Sequence, residues 1–251
     1  MKPYYEQDGI TIYHGDCMEV MPTLGQFDLA FTSPPYNMNC PTKPGGGFAA
    51  PKGEAGKWSG GALADGYADH GDAMPMDEYE DWQRHVLTEL WEHTSGAIFY
   101  NHKPRPWLGE VWLPLRLNPD LPLRQIITWA RAGGINFSPS HFVPTYEWIL
   151  VFARPEWRLR SKEASGAGDL WRVAQESGTP HPAPFPVALP ARAIEAAAPS
   201  SVIDPFMGSG TTLRAAKDAG IPATGIELSE RYCEIAAKRL AQGVLDFGGA
   251  A

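Results

Sequence analysis

A chain of 251 residues can bury one α/β core and is too short to promise two independent ones, so a single domain over 1–251 with insertions is expected. Its 43% hydrophobic and 11% aromatic residues exclude wholesale disorder, while 24 prolines and 26 glycines require many turns and some long loops. A formal charge of −8 weighs against nucleic-acid binding without excluding it, because phosphate contact depends on where Lys and Arg lie rather than on their sum.

The N-terminal stretch Met1 to Gly9 is polar with no signal-peptide core, and no apolar run approaches the ~18 residues of a membrane span. The expected location is the cytoplasm, with no membrane partner. Ile10 to His14 reads as a strand, and Gly15-Asp16-Cys17 opens an amphipathic stretch in which Asp16 serves either as a helix N-cap or as a ligand contact. Phe27 to Thr32 (FDLAFT) is a short apolar run entering a double-proline turn, the signature of a buried strand whose end points into a site.

Residues 38–75 follow with GGG, further glycines and little periodicity, which predicts a long inserted loop. A helix is expected over Asp77 to Trp91, and strands over Ala97 to Tyr100, Gln125 to Ala130 and Trp148 to Ala153. The stretch 154–180 is locally basic, with Arg154, Arg158, Arg160, Lys162 and Arg172, and is expected to be a target-recognition insertion. Ser201 to Asp204 and Ala223 to Glu227 read as strands, each leading into a helix, Thr211 to Ala219 and Ser229 to Ala241. Strands alternating with helices imply a mainly parallel sheet covered on both faces, with ligands at the carboxyl ends of its strands.

Two motifs carry chemistry. Asp204 to Thr212 (DPFMGSGTT) places glycines between a strand and a helix, where backbone passes close to a ligand or simply turns tightly. No Lys stands where a phosphate-binding loop has one, so a triphosphate is not the ligand. Glu227, at the end of the next strand, can accept hydrogen bonds from both hydroxyls of a ribose, which fits an adenosine-containing cofactor. In Thr32-Ser33-Pro34-Pro35-Tyr36-Asn37, two prolines fix the backbone and leave the Ser33 hydroxyl and carbonyl oxygens as acceptors for an amino group. Tyr36 adds a flat face for a base.

With both motifs in this order, the chain resembles the amino-group DNA methyltransferases of the circularly permuted type, and FTSPPY at Phe31 to Tyr36 is similar to their cytosine-N4 version; adenine-N6 members usually carry Asp or Asn at the Ser33 position. The resemblance implies a Rossmann-like methyltransferase fold with a mixed, mostly parallel seven-stranded sheet, helices on both faces and permuted motif order. It implies Ser33, Pro34, Pro35 and Tyr36 as catalytic residues, and S-adenosylmethionine as cofactor.

Cofactor contacts are implied from Asp16 and Cys17, from Thr32, from His181, Pro182, Phe185 and Pro186, from Asp204, Pro205, Phe206, Gly208, Ser209, Gly210 and Thr211, and from Glu227 and Leu228. Tyr146 to Leu150 resembles a late strand of the family, in which Glu147 is read as structural.

The implied reaction is methyl transfer to a flipped base in double-stranded DNA, with Asn37, Lys43, Lys52, Lys57, Arg158 and Arg160 as candidate DNA contacts. A cognate restriction endonuclease is a candidate partner, and monomer and homodimer both stay open. Carbon-5 methylation needs a cysteine nucleophile, usually after proline, and none of Cys17, Cys40 and Cys233 follows one. These cysteines form no CxxC pair, so neither a metal site nor a disulfide is expected, and Cys17 and Cys233 read as packing residues. N6 of adenine is the alternative target. A non-catalytic DNA-binding module would be expected to carry a damaged Ser33 to Tyr36 motif, which is intact here.

Overall fold

The computed structural model describes residues 1–37, 74–131, 139–174 and 185–241. The chain opens with β1 (Tyr5–Gln7), β2 (Ile10–His14), α1 (Cys17–Val20) and β3 (Phe27–Thr32). Next come α2 (Met76–Glu92), β4 (Thr94–His102), a hairpin of β5 (Arg105–Trp107) and β6 (Glu110–Trp112), then β7 (Leu123–Ala130) and β8 (Tyr146–Ala153). The remainder is α3 (Lys162–Gly166), β9 (Leu170–Arg172), α4 (Ala188–Ala197), β10 (Val202–Asp204), α5 (Thr211–Asp218), β11 (Ala223–Glu227) and α6 (Glu230–Ala241).

One sheet has the order β1-β2-β11-β10-β3-β4-β8-β7-β9. Seven of these nine strands are the expected ones; β1 and β9, three residues each, extend the two edges. From β2 to β4 all neighbours are parallel, and β8 alone runs against β4 and β7 on either side of it. Parallel strands covered on both faces have no polar side, which is why LAF (29–31) and AIFY (97–100) read as continuous apolar runs rather than alternations.

Successive residues serve opposite layers. Leu29, Phe31, Ala97, Phe99 and Val151 pack with Leu189 and Ile194 of α4, Leu213 of α5 and Leu240 of α6. Ala30, Ile98, Tyr100, Leu150 and Phe152 pack on the other face with Tyr79, Val86, Leu87 and Leu90 of α2. The α2 stripe recurs at helical spacing, and Asp77 and Glu78 in its first turn complement the helix dipole in place of a side-chain cap. Among the described residues no helix is long and apolar enough to cross a membrane.

Two features of this topology position a site. From β3 the chain continues to β4 on one side, and from β10 to β11 on the other, so a crevice opens between the carboxyl ends of β3 and β10, at Thr32 and Asp204. Because β8 is antiparallel, its first residues, Tyr146 and Glu147, lie at that same edge, next to His102 of β4.

Its last residues lie at the far edge. There Arg154 donates its backbone N–H to Gly96 O at 2.9 Å and its guanidinium to Trp91 O at 2.6 Å.

Candidate active site

The glycine loop leaves β10 at Asp204 and enters α5 through Gly210. Gly208 and Gly210 have φ of +51° and +80°, and a Cβ on Gly210 would stand 3.1 Å from Ala236 Cβ, so both conformation and space demand glycine there. Glu227 closes β11 and accepts from the Gly208 N–H at 3.0 Å and the Ser229 N–H at 2.9 Å, tying the loop to the start of α6. Burial pushes its carboxyl up, against the pull of these bonds. Thr212 donates to Phe31 O at 3.2 Å, which fastens α5 to β3.

Asp204 is fully buried at the crevice. Its Oδ1 accepts from Thr32 Oγ1 at 2.7 Å and from the Phe206 N–H at 3.0 Å, while its Oδ2 finds no hydrogen-bond partner among the described residues. A buried carboxylate oxygen without a donor among the described residues, beside a loop with glycine at 208 and 210 and a strand-end acid, fits a cofactor that brings its own donors and a positive charge, as S-adenosylmethionine does.

Burial raises Asp204 to about 6, outweighing the hydrogen bonds that lower it. A carboxyl whose folded value lies above its unfolded one contributes stability in full below pH ~4, loses it as pH climbs to the folded value, and is a constant cost above that. Asp204→Asn is therefore expected to stabilise the cofactor-free protein at neutral pH by on the order of 2 kcal/mol, with the gain vanishing below pH ~4. Urea denaturation across that range checks this, and a gain independent of pH would contradict it.

The other expected cofactor residues are distributed around this centre. Phe206 meets the Trp82 ring edge-on at 5.8 Å, Pro205 is buried, and Ser209 O and Thr211 Oγ1 both accept from Arg239 at 3.4 Å. Phe185 packs on Phe31 with centroids 5.5 Å apart, and Pro186 O accepts from the Leu189 N–H in the first turn of α4. Leu228 is exposed, with its carbonyl 3.0 Å from His14 Nε2. Asp16 caps α1 by accepting from the Met18 N–H at 2.8 Å, and Cys17 is a packing residue whose thiol burial pushes up to about 12. His181 and Pro182 lie outside the described residues.

The double-proline turn continues straight from β3, and its polar groups are held from three sides. Pro35 O accepts from the Tyr79 hydroxyl at 2.9 Å, and Tyr36 O from Arg105. The Tyr79 hydroxyl is also 2.7 Å from Nε2 of the buried His102, whose Nδ1 accepts from the Lys103 N–H. Burial first, and then the cations Arg105 and Lys103, hold His102 well below its usual range, so it is a neutral ring packed on Tyr36 at 4.3 Å.

Ser33 Oγ lies 2.9 Å from the Tyr36 hydroxyl, which in turn donates to Glu147 Oε2 at 2.9 Å. Asn101 Nδ2 reaches Ser33 Oγ at 3.3 Å, Glu147 Oε2 at 2.9 Å and the Tyr36 hydroxyl. Glu147 forms an ion pair with Arg131, 3.2 Å away and itself largely buried. The structure thus brings Ser33 and Tyr36 together and places beside them Asn101, Arg131 and Glu147, which sequence reasoning did not assign to the site. A polar residue inside an otherwise apolar strand, Asn101 in AIFYNH and Glu147 in YEWILVF, was the available signal.

The expected DNA contacts are placed differently from one another. Arg158 lies at the amino edge with Asp28 and Gly96, and the Arg160 N–H donates to Ala196 O at the end of α4, so both sit across the sheet from the turn. The antiparallel course of β8 carries the chain away from the site, and β9 brings it back with Arg172 beside Ala130. Asn37, at φ +53°, donates to Met74 O at 2.9 Å and accepts from the Met74 N–H at 2.8 Å, so its amide joins the two ends of the 38–73 segment. Lys43, Lys52 and Lys57 lie outside the described residues, as does most of the loop expected over 38–75. Among the described residues no group of three His, Cys, Asp or Glu could hold a metal ion.

The chain is similar to several known proteins. The type II methyltransferase M.ScaI of Streptomyces caespitosus is 29% identical over 95% of this chain and 84% of its own length, and M2.LlaDCHI of Lactococcus lactis subsp. cremoris is 25% identical over 96% and 93%. Among solved structures, a putative DNA modification methylase of Thermus thermophilus complexed with S-adenosyl-L-methionine aligns over 96% of this chain and 98% of its own, with TM-score 0.63 and 23% identity. PvuII DNA methyltransferase, described as cytosine-N4-specific, aligns over 99% and 91% with TM-score 0.70 and 18% identity. The DNA methylase family that groups N6 and N4 methyltransferases matches residues 27–238, and the chain belongs to that family of S-adenosylmethionine-dependent enzymes acting on DNA amino groups.

Proposed function

We propose that the enzyme methylates N4 of cytosine in double-stranded DNA, on a base turned out of the helix into the crevice beside the double-proline turn. The observation that carries this reading is the hydroxyl of Ser33, oriented by Tyr36 and Asn101, at the position where the resemblance places an acid or amide in adenine enzymes. S-adenosylmethionine, when bound, would supply the electrophilic methyl group: the N–CH3 bond forms as the S–CH3 bond breaks, S-adenosylhomocysteine leaves, and the methylated amine loses one proton to solvent.

An exocyclic amine is a poor nucleophile because its lone pair is delocalised into the ring. Ser33 Oγ and the Pro34 carbonyl accept its two hydrogens and turn the lone pair out of the ring plane. Pro35 O and Tyr36 O, held by Tyr79 and Arg105, keep the turn from relaxing when the base enters. Glu147, offset by Arg131, anchors the far end of the chain that ends on Ser33 and strengthens Ser33 as an acceptor. Tyr36, backed by the neutral His102 ring, is the surface on which the flipped base stacks.

The relatives are named type II methyltransferases, and a companion restriction endonuclease is the partner we assign to this chain. Transfer of labelled methyl groups to DNA tests the role of Ser33. Ser33→Ala is expected to lower the single-turnover rate about thirtyfold, the worth of one acceptor of roughly 2 kcal/mol, with cofactor affinity unchanged. Equal rates would remove Ser33 from the reaction.

A further inference from the structure

The β5–β6 hairpin leaves the site edge immediately after His102, and its base is built into the catalytic turn. Arg105 bonds Tyr36 O and lies 5.0 Å over the Trp112 ring, while Trp112 packs against His102 with the rings tilted and centroids 5.1 Å apart, and donates to Glu80 Oε1 at 2.7 Å. The other end is different in character. Trp107 pairs with Glu110, leaving a two-residue turn of Leu108 and Gly109 with φ of +51° and +85°, the paired positive values of a type I′ turn.

The first position of such a turn suits Asn, Asp or Gly, and a branched apolar side chain there is strained. Leu108 is also 83% exposed, and with Val111 at 62% and Trp107 at 40% it forms an apolar tip in water. Neither packing nor turn chemistry accounts for a leucine at this place. Three residues of extended chain put it at most about 10 Å from Arg105, and so over the same stretch of DNA as Tyr36.

We propose that this hairpin is a DNA wedge: Leu108 enters the base stack of the duplex beside the target and fills the space the flipped base vacates. Apolar side chains inserted at a base step are a known way to hold a duplex open, and a tip anchored rigidly at its base is suited to it. The inference rests on the base-flipping part of the proposed function.

Leu108→Gly removes the side chain and suits the positive φ, so the fold is kept. Methylation is compared on a paired duplex and on one whose target base faces an abasic site and is already unstacked. The expected loss is at least about fivefold greater on the paired duplex, because only there must the stack be opened. Equal losses, or none, would overturn the wedge. Fluorescence of 2-aminopurine at the target position separates the two ideas. No rise with the wild type refutes flipping itself, whereas a rise undiminished in Leu108→Gly refutes the wedge alone.

Discussion

Tyr36→Ala is expected to lower the single-turnover rate of duplex methylation about a thousandfold while changing cofactor affinity, measured without DNA, by less than about threefold. Two losses combine. Base–aromatic stacking is worth roughly 1–3 kcal/mol, and a hydrogen bond to a charged group roughly 1.5–3 kcal/mol. The ring supplies the first, and the hydroxyl between Ser33 Oγ and Glu147 Oε2 the second. Tyr36→Phe keeps the ring and leaves Asn101 to hold Ser33, so its loss is expected to be only about tenfold. A Tyr36→Ala enzyme within about threefold of wild type would remove Tyr36 from the account.

Gly225→Val is expected to damage both stability and cofactor binding. A Cβ at this position in β11 would stand 2.5 Å from Met207 Sδ and 2.9 Å from both δ-carbons of Leu213. Met207 belongs to the glycine loop and Leu213 to α5, and both side chains are buried, so a side chain here must displace them from their packing under the cofactor cradle. Overpacking of this kind costs about 3 kcal/mol, a fall in melting temperature on the order of 10 °C, and cofactor affinity should weaken about a hundredfold. Calorimetric melting with and without cofactor measures both effects. Gly25→Ala, whose Cβ would meet nothing within 4 Å, is the control. If the two variants melt alike, the close packing under the loop is not what fixes it.

The parts of the fold legible in the sequence were those whose signal is local. FDLAFT, SVID and ATGIE are short segments bounded by turn residues with an apolar centre, and β3 and β11 fall on the expected residues, with β10 one residue shorter. The β5–β6 hairpin went unseen because strands of three residues show no period and Leu-Gly is not a recognised turn pair. Likewise the two contiguous motifs were visible, whereas Asn101, Arg131 and Glu147 meet only because β8 pairs with both β4 and β7.

Strand direction decides such matters, and a short apolar segment carries no information about its direction. The antiparallel course of β8 delivers Glu147 to the site and takes Arg158 away from it. One unread feature therefore explains both a missed residue and a misplaced one.

Digestion of the DNA methylated by this enzyme into nucleosides, followed by their separation and mass analysis, tests the central claim most directly. The account predicts N4-methylcytosine as the product, and its loss in Ser33→Ala in step with total label. N6-methyladenine without N4-methylcytosine would contradict the assignment of cytosine that rests on Ser33, and 5-methylcytosine would contradict the amino-group chemistry altogether.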